Sequence, residues 1–353
     1  MLHKRILKTA KAFLLPVLCC ILLCACDDPG RRKEIDEFSA RYGVPSDSQL
    51  IVYTSHKEEV YLPIIREFEN RTGIWVEVHA GGTIEMLSEI RQNAESGDNC
   101  CDIMFGGGIE AYAANKGLFV PFAADEKEHI AEEFCSSEDL WTPFTELPIV
   151  FIYNNKLVSQ EDAPKGWADL FDNRWKGLIS FADPTNSGSS YTILNTMLLA
   201  SGQTPEEFIP RFIEQLDIKI EHSSGDVIPS VSNGKYLVGI TLEETALKYM
   251  DENSDISMIY PAEGTSAVPD GCAIVSGAPH RANAEKFINF ITGMETQRYA
   301  IEQFHRRTVR NDIDTSLLYT DIPLIEYDIA QAGNDAEKIL SLWKKTVDRM
   351  EEP

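Results

Sequence analysis

The chain has few cysteines and histidines, and neither type occurs at a spacing typical of a metal site or a catalytic motif. Four of its eight cysteines fall within the first 26 residues, and its seven histidines are scattered. No CxxC pair, HExxH, GxSxG or Walker A sequence is present. These absences argue against a zinc site, a histidine metal cage, a nucleophile-elbow hydrolase and a P-loop nucleotide site.

Basic residues are also scarce, since 32 lysines and arginines against 56 acids give a formal net charge of −24. Nucleic acid and anionic lipid are therefore not expected partners. The net charge does not exclude a small anionic ligand, because a buried site can present its own hydrogen-bond donors to the ligand even though the protein as a whole is negatively charged. Such a ligand would need strong local hydrogen-bond donors.

The longest apolar run, Ala12 to Ala25, has 14 residues, whereas a bilayer span needs about 20. It follows four basic residues, and the whole pattern predicts a secretory signal peptide over residues 1–25. The sequence LCAC at its end resembles a bacterial lipobox, with Cys26 as the lipidated residue and Cys24 as a departure from the usual pattern. We expect residues 26–47 to be a tether and the lipid to be the only membrane contact. The alternative is an uncleaved anchor, and both alternatives place the protein outside the cytoplasm at a membrane.

Four cysteines remain in the body of the chain: Cys100, Cys101, Cys135 and Cys272. An oxidising compartment permits a disulfide, and we expect Cys100 or Cys101 to pair with Cys135. A sequence alone does not determine the pairing.

From residue 49 the apolar pattern alternates between strands and helices, first as βαβαβ up to about residue 108 and again from residue 148. This alternation is typical of doubly wound α/β sheets. Two such blocks predict two lobes joined by a two-strand hinge, with crossings near 143–149 and 262–269. We expect lobe 1 to comprise 48–145 plus 268–318, and lobe 2 to comprise 146–267 plus 319–353. The run 217–223 is predicted as a strand of lobe 2, and a small ligand is expected in the cleft between the lobes.

Residues 178–191 predict a strand that runs through a hydroxyl-rich turn directly into a helix. Ser187, Gly188, Ser189 and Ser190 occupy the helix start, where unpaired N–H groups and the helix dipole favour an anion. The alternative is an ordinary N-cap. Loops at the ends of the first three strands, around Ser55-His56, Gly81–Thr83 and Gly106–Gly108, are expected at the same sheet edge. Tight βα turns would account for their glycines equally well.

These loops and their neighbours closely resemble the extracellular solute-binding proteins of ABC importers, in the subgroup of ferric-ion, phosphonate and sugar-phosphate binders. The resemblance covers essentially all of residues 48–310 and is carried by these segments: VYTSHKEE (52–59), GGT (81–83), CDIMFGGG (101–108), ELPIVFIYNN (146–155), WADLFDNRWKGLISFADPTNSGSSY (167–191), VSNGKYLVGITLEE (231–244) and PDGCAIVSGAPHRANAEKFINF (269–290). It implies a type 2 periplasmic-binding-protein fold that closes around its ligand by hinge motion.

The resemblance also bears on the ligand. Ferric binders of this family carry two adjacent tyrosines where this chain has Glu243 and Glu244, so iron(III) is the alternative ligand, with His56, Glu243 and Glu244 as its donors. An organophosphate or phosphonate fits better, because the serines match the family's anion position. The expected ligand-binding residues are Ser55, His56, Thr83, Gly108, Ser187, Gly188, Ser189, Ser190, His222, Ser223, Thr241, Glu243 and Glu244. We expect Arg306, Arg307 and Arg310 to brace the lobes rather than reach the cleft mouth.

The resulting hypothesis is a lipid-anchored, monomeric solute-binding protein, without catalytic residues or cofactor, that captures a small anionic solute for an ABC permease and its ATPase. The first alternative is a metal-ion binder of the same fold. The second is a secreted phosphoester hydrolase or a sensor input domain.

Overall fold

The computed structural model describes residues 43–97, 101–252 and 255–351. The predicted signal peptide, Cys26, most of the tether and Cys100 lie outside these ranges. The described residues from Leu50 onward form one compact unit. Within the described ranges, no helix is both long enough and apolar enough to cross a membrane.

The described part of the chain contains ten α-helices and eleven strands, with short 3-10 helices between them. The strands are β1 (Gln49–Thr54), β2 (Trp75–Ala80), β3 (Ile103–Gly108), β4 (Phe119–Val120), β5 (Thr142–Glu146), β6 (Ile149–Asn154), β7 (Ile179–Ser180), β8 (Val238–Leu242), β9 (Ile256–Ile259), β10 (Pro269–Val275) and β11 (Arg307–Thr308). The helices are α1 (Glu58–Thr72), α2 (Thr83–Ser96), α3 (Ile109–Ala114), α4 (Gly188–Ser201), α5 (Pro205–Gln215), α6 (Val227–Ser232), α7 (Glu243–Asp251), α8 (Arg281–Thr292), α9 (Met294–Phe304) and α10 (Ile329–Glu351).

The strands form two mixed sheets. The seven-stranded sheet has the order β11-β5-β10-β3-β1-β2, with β4 also paired to β10, and the four-stranded sheet has the order β7-β8-β6-β9. β1 and β3 are parallel, as the βαβ pattern predicts, whereas β10 runs antiparallel to both β3 and β5. We call the seven-stranded sheet with its helices lobe 1 and the four-stranded sheet with its helices lobe 2.

The chain passes from one sheet to the other twice, and the two crossings lie side by side. The outward crossing lies between Glu146 and Ile149, and the return lies between Ile259 and Pro269. Hydrogen bonds join them, because the Ile149 N–H donates to the Ser266 carbonyl at 3.1 Å and Thr265 Oγ1 donates to the Ile149 carbonyl at 2.8 Å. The crossings therefore form a paired connection beneath the space between the lobes.

Each lobe has its own apolar core. In lobe 1, Phe68, Phe105, Phe144 and Phe287 are buried between the sheet and its helices. In lobe 2 the core includes Phe181 and Phe212 together with Trp343 of α10. The carboxyl half of the terminal helix thus packs into lobe 2.

Two local predictions are wrong. Residues 217–223 form no strand: Asp217 and Ile218 have left-handed φ angles of 56° and 58°, and only Glu221 makes a single bridge, to Ala182. A left-handed residue interrupts the extended backbone that a strand requires. Cys135 carries a free thiol, so the predicted disulfide to it is not formed.

Candidate functional site

A cleft with a volume of about 330 Å³ lies between the two lobes. Its lining comes from loops at strand ends and from helix starts of both lobes. Eleven of the thirteen residues expected to bind ligand line it: Ser55, His56, Thr83, Gly108, Ser187, Gly188, Ser189, Ser190, Ser223, Thr241 and Glu244. The structure therefore brings together side chains that are up to 189 residues apart in the chain.

The lobe 2 wall is formed by the first turn of α4. Ser187 is its N-cap, and the Ser187 hydroxyl accepts a hydrogen bond from the Ser190 N–H at 3.3 Å and lies 3.1 Å from the Ser189 hydroxyl. The first N–H groups of a helix have no acceptor within the helix. The first turn of α4 contains no acidic residue. Its N–H groups and hydroxyls consequently offer donors to the cleft without a carboxylate of their own.

The facing wall in lobe 1 is the start of α2. A Cβ atom on Gly188 would lie 3.0 Å from Thr83 Oγ1, and one on Gly82 would lie 3.0 Å from the Asn186 carbonyl oxygen. Glycine at these positions lets the two helix starts approach each other closely. The α2 end differs from the α4 end, because the Gly82 N–H donates to the Glu85 carboxylate at 3.2 Å. The positive end of α2 is thus already compensated.

The lobe 1 floor of the cleft holds a buried charge network. The Arg306 guanidinium donates to Asp270 at 2.5 Å and to the Thr145 hydroxyl at 3.1 Å. Asp270 also accepts hydrogen bonds from the N–H and the hydroxyl of Thr145 at 2.8 and 2.9 Å. Arg306 therefore enters the cleft already neutralised by a carboxylate.

His56 lies beside this network, with Nε2 3.4 Å from the Asp270 carboxylate. Burial lowers the pKa of His56 well below its usual 6.5, and the Arg306 guanidinium lowers it further. Burial has the opposite effect on an acid, and it raises the pKa of Asp270 while Arg306 opposes the shift. His56 consequently contributes a neutral imidazole at neutral pH.

Glu243 and Glu244 have separate environments. Glu243 is 1% exposed and accepts two hydrogen bonds from Arg307, at 2.7 and 2.8 Å, and one from the Tyr260 hydroxyl. Glu244 lines the cleft, with one carboxylate oxygen 3.6 Å from Arg306 and 2.8 Å from the Thr245 hydroxyl. Glu243 therefore belongs to an ion pair between the lobes, and Glu244 faces the cleft.

Glu243 and His222 are the two expected site residues that the structure does not bring to the cleft. The Glu243 carboxylate is already hydrogen-bonded to Arg307 and Tyr260. His222 is exposed, with its ring nitrogen 3.4 Å from the Asn186 amide.

Arg307 braces the lobes as expected, whereas Arg306 also lines the cleft. The bracing role expected of Arg310 is wrong, because Arg310 pairs with Asp312 and Glu126 of its own lobe.

Sequence reasoning missed Asn186, Asp270 and Arg306 as lining residues. A sequence signal did mark Asp270, because it is the one acid in the otherwise uncharged strand PDGCAIV. No comparable sequence signal marks Arg306, because Arg306, Arg307 and Arg310 lie close together in the chain and only the tertiary packing gives them different contacts.

The iron alternative requires His56, Glu243 and Glu244 to converge. Across the described ranges, no group of three or more His, Cys, Asp or Glu residues is arranged to hold a metal ion. Glu243 is paired with Arg307 and does not line the cleft with His56 and Glu244.

The family is shown by a family model described as bacterial extracellular solute-binding protein, which matches residues 100–314. Because this match covers more than half of the chain, the chain belongs to that family. The predicted membership in a family of extracellular solute-binding proteins is confirmed.

Individual relatives are more distant. A protein of Salmonella typhi named putative 2-aminoethylphosphonate-binding periplasmic protein is 26% identical over 70% of this chain and 74% of its own length. Iron uptake protein A1 of Synechocystis sp. is 24% identical over 77% of this chain and 75% of its own. The periplasmic binding protein AfuA of Actinobacillus pleuropneumoniae, solved with fructose 6-phosphate bound, superposes with a TM-score of 0.77 at 23% identity, covering 86% of this chain and 99% of that one. This likeness confirms the predicted two-lobe α/β fold.

Proposed function

We propose that this protein is the solute-binding component of an ABC importer and captures an organophosphate or organophosphonate in the cleft. The observation that carries the proposal is the start of α4, a fourteen-residue helix whose first turn faces the cleft without an acidic residue. In a chain with a net charge of −24, a positive helix end whose first turn carries no acidic residue is a specific local provision for an anion.

The remaining lining supports an anion held by neutral donors. Hydroxyls of Ser55, Thr83 and Ser223 line the cleft near the serines of α4. Because each hydroxyl both donates and accepts, such a site suits a multiply bonded oxyanion. The one buried arginine of the lining is already paired with Asp270, so it adds little net positive charge. Glu244 then offers an acceptor to the hydroxyl or ammonium groups at the other end of the ligand.

The relatives support the same chemical class. One is named for a phosphonate, and a structural neighbour was solved with a sugar phosphate. A third similar protein is named for iron uptake. The test below therefore includes iron(III) citrate, which examines the metal-ion alternative.

The mechanism that we propose is capture followed by hinge closure about the paired crossings. Donors from α4 and acceptors from α7 lie on lobe 2, while Ser55, Thr83 and the Asp270–Arg306 pair lie on lobe 1. A ligand that contacts both sides favours the closed form. We further propose lipidation of Cys26, a monomeric state and delivery to a permease driven by an ATPase. The lobe boundaries predicted from the sequence, 48–145 plus 268–318 for lobe 1 and 146–267 plus 319–353 for lobe 2, are part of this proposal.

The test is isothermal titration calorimetry with 2-aminoethylphosphonate, fructose 6-phosphate and iron(III) citrate. Replacing Ser187, Ser189 and Ser190 by alanine together should weaken binding of the phosphorus ligand at least tenfold, because each neutral hydrogen bond contributes about 0.5–1.5 kcal/mol.

Thr204→Ala is the matched control, since Thr204 is the N-cap of α5 and does not line the cleft. It should reduce stability without changing affinity. Undiminished binding in the triple variant would refute the anion site, and binding of iron(III) citrate alone would favour the metal alternative. Release of inorganic phosphate from fructose 6-phosphate would instead indicate a hydrolase.

A further inference from the structure

One face of α7 carries a stripe of alternating charge. Glu244, Lys248 and Asp251 are spaced i, i+4 and i+7, so they lie on the same side of the helix. Their signs along the helix are negative, positive and negative. α7 belongs to lobe 2, since it follows β8 directly.

Every member of this stripe has a partner on lobe 1. Glu244 lies 3.6 Å from Arg306, Lys248 lies 2.6 Å from Glu59, and Asp251 lies 3.1 Å from His305. Arg306 and His305 lie at the end of α9, and Glu59 lies in the first turn of α1. Arg306 and Glu59 therefore complement the charges of Glu244 and Lys248, and the His305 ring lies beside the Asp251 carboxylate.

One end of the stripe, Glu244, lies at the cleft. Glu59 and Glu244 both line it, whereas Lys248 does not. Lys248 and Glu59 are 38% and 51% exposed, so their pair lies at the outer edge, while Glu244 and Arg306 are more deeply buried. The ion pair Lys338–Glu206, at 2.9 Å, is comparably exposed but joins α10 to α5 on the outside of lobe 2.

We propose that the Glu244–Lys248–Asp251 stripe is a latch that holds the lobes closed. On this view Lys248 sets ligand affinity and residence time without contacting the ligand. Separation of the lobes would break all three pairs together, whereas a pair within one lobe would be unaffected. The latch rests on the hinge closure of the proposed function, but it does not depend on the identity of the solute.

The test uses three variants of the full chain: Lys248→Glu, Glu59→Lys and the double swap, with Lys338→Glu as the control. Small-angle X-ray scattering without added ligand reports lobe separation. Lys248→Glu should raise the radius of gyration, the double swap should return it towards the wild-type value, and Lys338→Glu should leave it unchanged. Added salt should reduce the difference, because these charges are partly exposed.

Calorimetry and dissociation kinetics with 2-aminoethylphosphonate give the second measurement. Lys248→Glu should weaken binding about three- to tenfold, chiefly through faster dissociation, because it replaces an attraction by a repulsion. The double swap should recover most of this loss.

The latch is refuted if the scattering of Lys248→Glu matches that of the wild type, if Lys338→Glu has an equal effect, or if the swap restores nothing. If the wild type binds none of the phosphorus ligands while the scattering changes as expected, the proposed ligand class fails and the latch stands.

Discussion

At the residue scale, two adjacent glutamates show how one residue step along a helix separates two roles. Glu243 and Glu244 both lie in the first turn of α7, where acids are favoured by the helix dipole. Consecutive helical residues point about 100° apart. Glu243 consequently meets Arg307, and Glu244 meets the cleft.

Glu110 is a second residue whose environment dominates its chemistry. It lies in the first turn of α3 in lobe 1, is 1% exposed, and accepts a hydrogen bond from the Thr192 hydroxyl of α4 in lobe 2. Its other carboxylate oxygen has no hydrogen-bond partner. Burial raises the pKa of Glu110 from its ordinary value of 4.5 to about 7, although the Thr192 bond opposes the shift.

Glu110 should therefore make the folded state less stable as the pH rises. Between pH 4.5 and about 7 the unfolded chain loses this proton while the folded chain keeps it, so the free energy of unfolding falls with increasing pH. Glu110→Gln should remove this contribution and gain about 2–3 kcal/mol relative to the wild type between pH 5 and pH 8. Urea unfolding at the two pH values measures the difference.

Glu302→Gln, an exposed acid on α9, is the control and should show no such gain. An equal pH dependence in wild type and Glu110→Gln would contradict the prediction.

At the element scale, α10 packs against both lobes. Near its start, Gly333 lies so close to α3 that an added Cβ would be 2.9 Å from the Ala114 nitrogen and from the Glu110 carbonyl oxygen. The Tyr191 hydroxyl of α4 donates to the Ala332 carbonyl at 2.5 Å. Further along, Trp343 is 1% exposed and packs against Phe181, with ring centroids 5.7 Å apart. A helix expected to belong to lobe 2 therefore also contacts lobe 1.

Trp343→Ala should cost about 3–5 kcal/mol of unfolding free energy, because a large buried side chain is replaced by a cavity. Trp343→Phe should cost clearly less, since it retains an aromatic ring and removes an indole N–H that has no hydrogen-bond partner. Urea unfolding monitored by circular dichroism measures both.

Leu318→Ala is a suitable control, because Leu318 is 62% exposed, and it should change stability by less than about 0.5 kcal/mol. Equal losses in Trp343→Ala and Leu318→Ala would mean that α10 adds little to the lobe 2 core.

At the scale of the whole molecule, the proposed attachment to the membrane depends on a single side chain, that of Cys26. The chain carries a net charge of −24, so an anionic bilayer surface repels it. A covalent lipid at Cys26 is then the expected source of membrane attachment, and each buried CH₂ group contributes about 0.8 kcal/mol.

Cys26→Ser should release the protein from the membrane fraction into the soluble extracytoplasmic fraction, because the acyl chains would have no attachment point. Fractionation followed by immunoblotting measures the distribution. Cys24→Ser is the matched control and should remain in the membrane fraction. Membrane retention of Cys26→Ser would contradict lipidation and favour an uncleaved anchor.

Much of the fold was predictable because local patterns were strong. The apolar pattern predicted a βαβαβ order up to about residue 108, and β1, α1, β2, α2 and β3 follow that order and end at Gly108. The strand predicted over 217–223 failed, since the left-handed conformation of Asp217 and Ile218 has no clear sequence signal. The disulfide prediction also failed, because an oxidising compartment permits a disulfide but does not bring two thiols close together.

The sequence by itself determined the family, the alternation of strands and helices, and the hydroxyl-rich start of α4, because these depend on short segments and their local physics. Tertiary structure alone decided which charges are already paired. It assigned Glu243 to Arg307, Asp270 to Arg306 and Lys248 to Glu59. These pairs join residues 36 to 189 positions apart. Contacts at such separations depend on tertiary packing, within lobe 1 for Asp270–Arg306 and between the lobes for the other two pairs, and no local pattern encodes that packing.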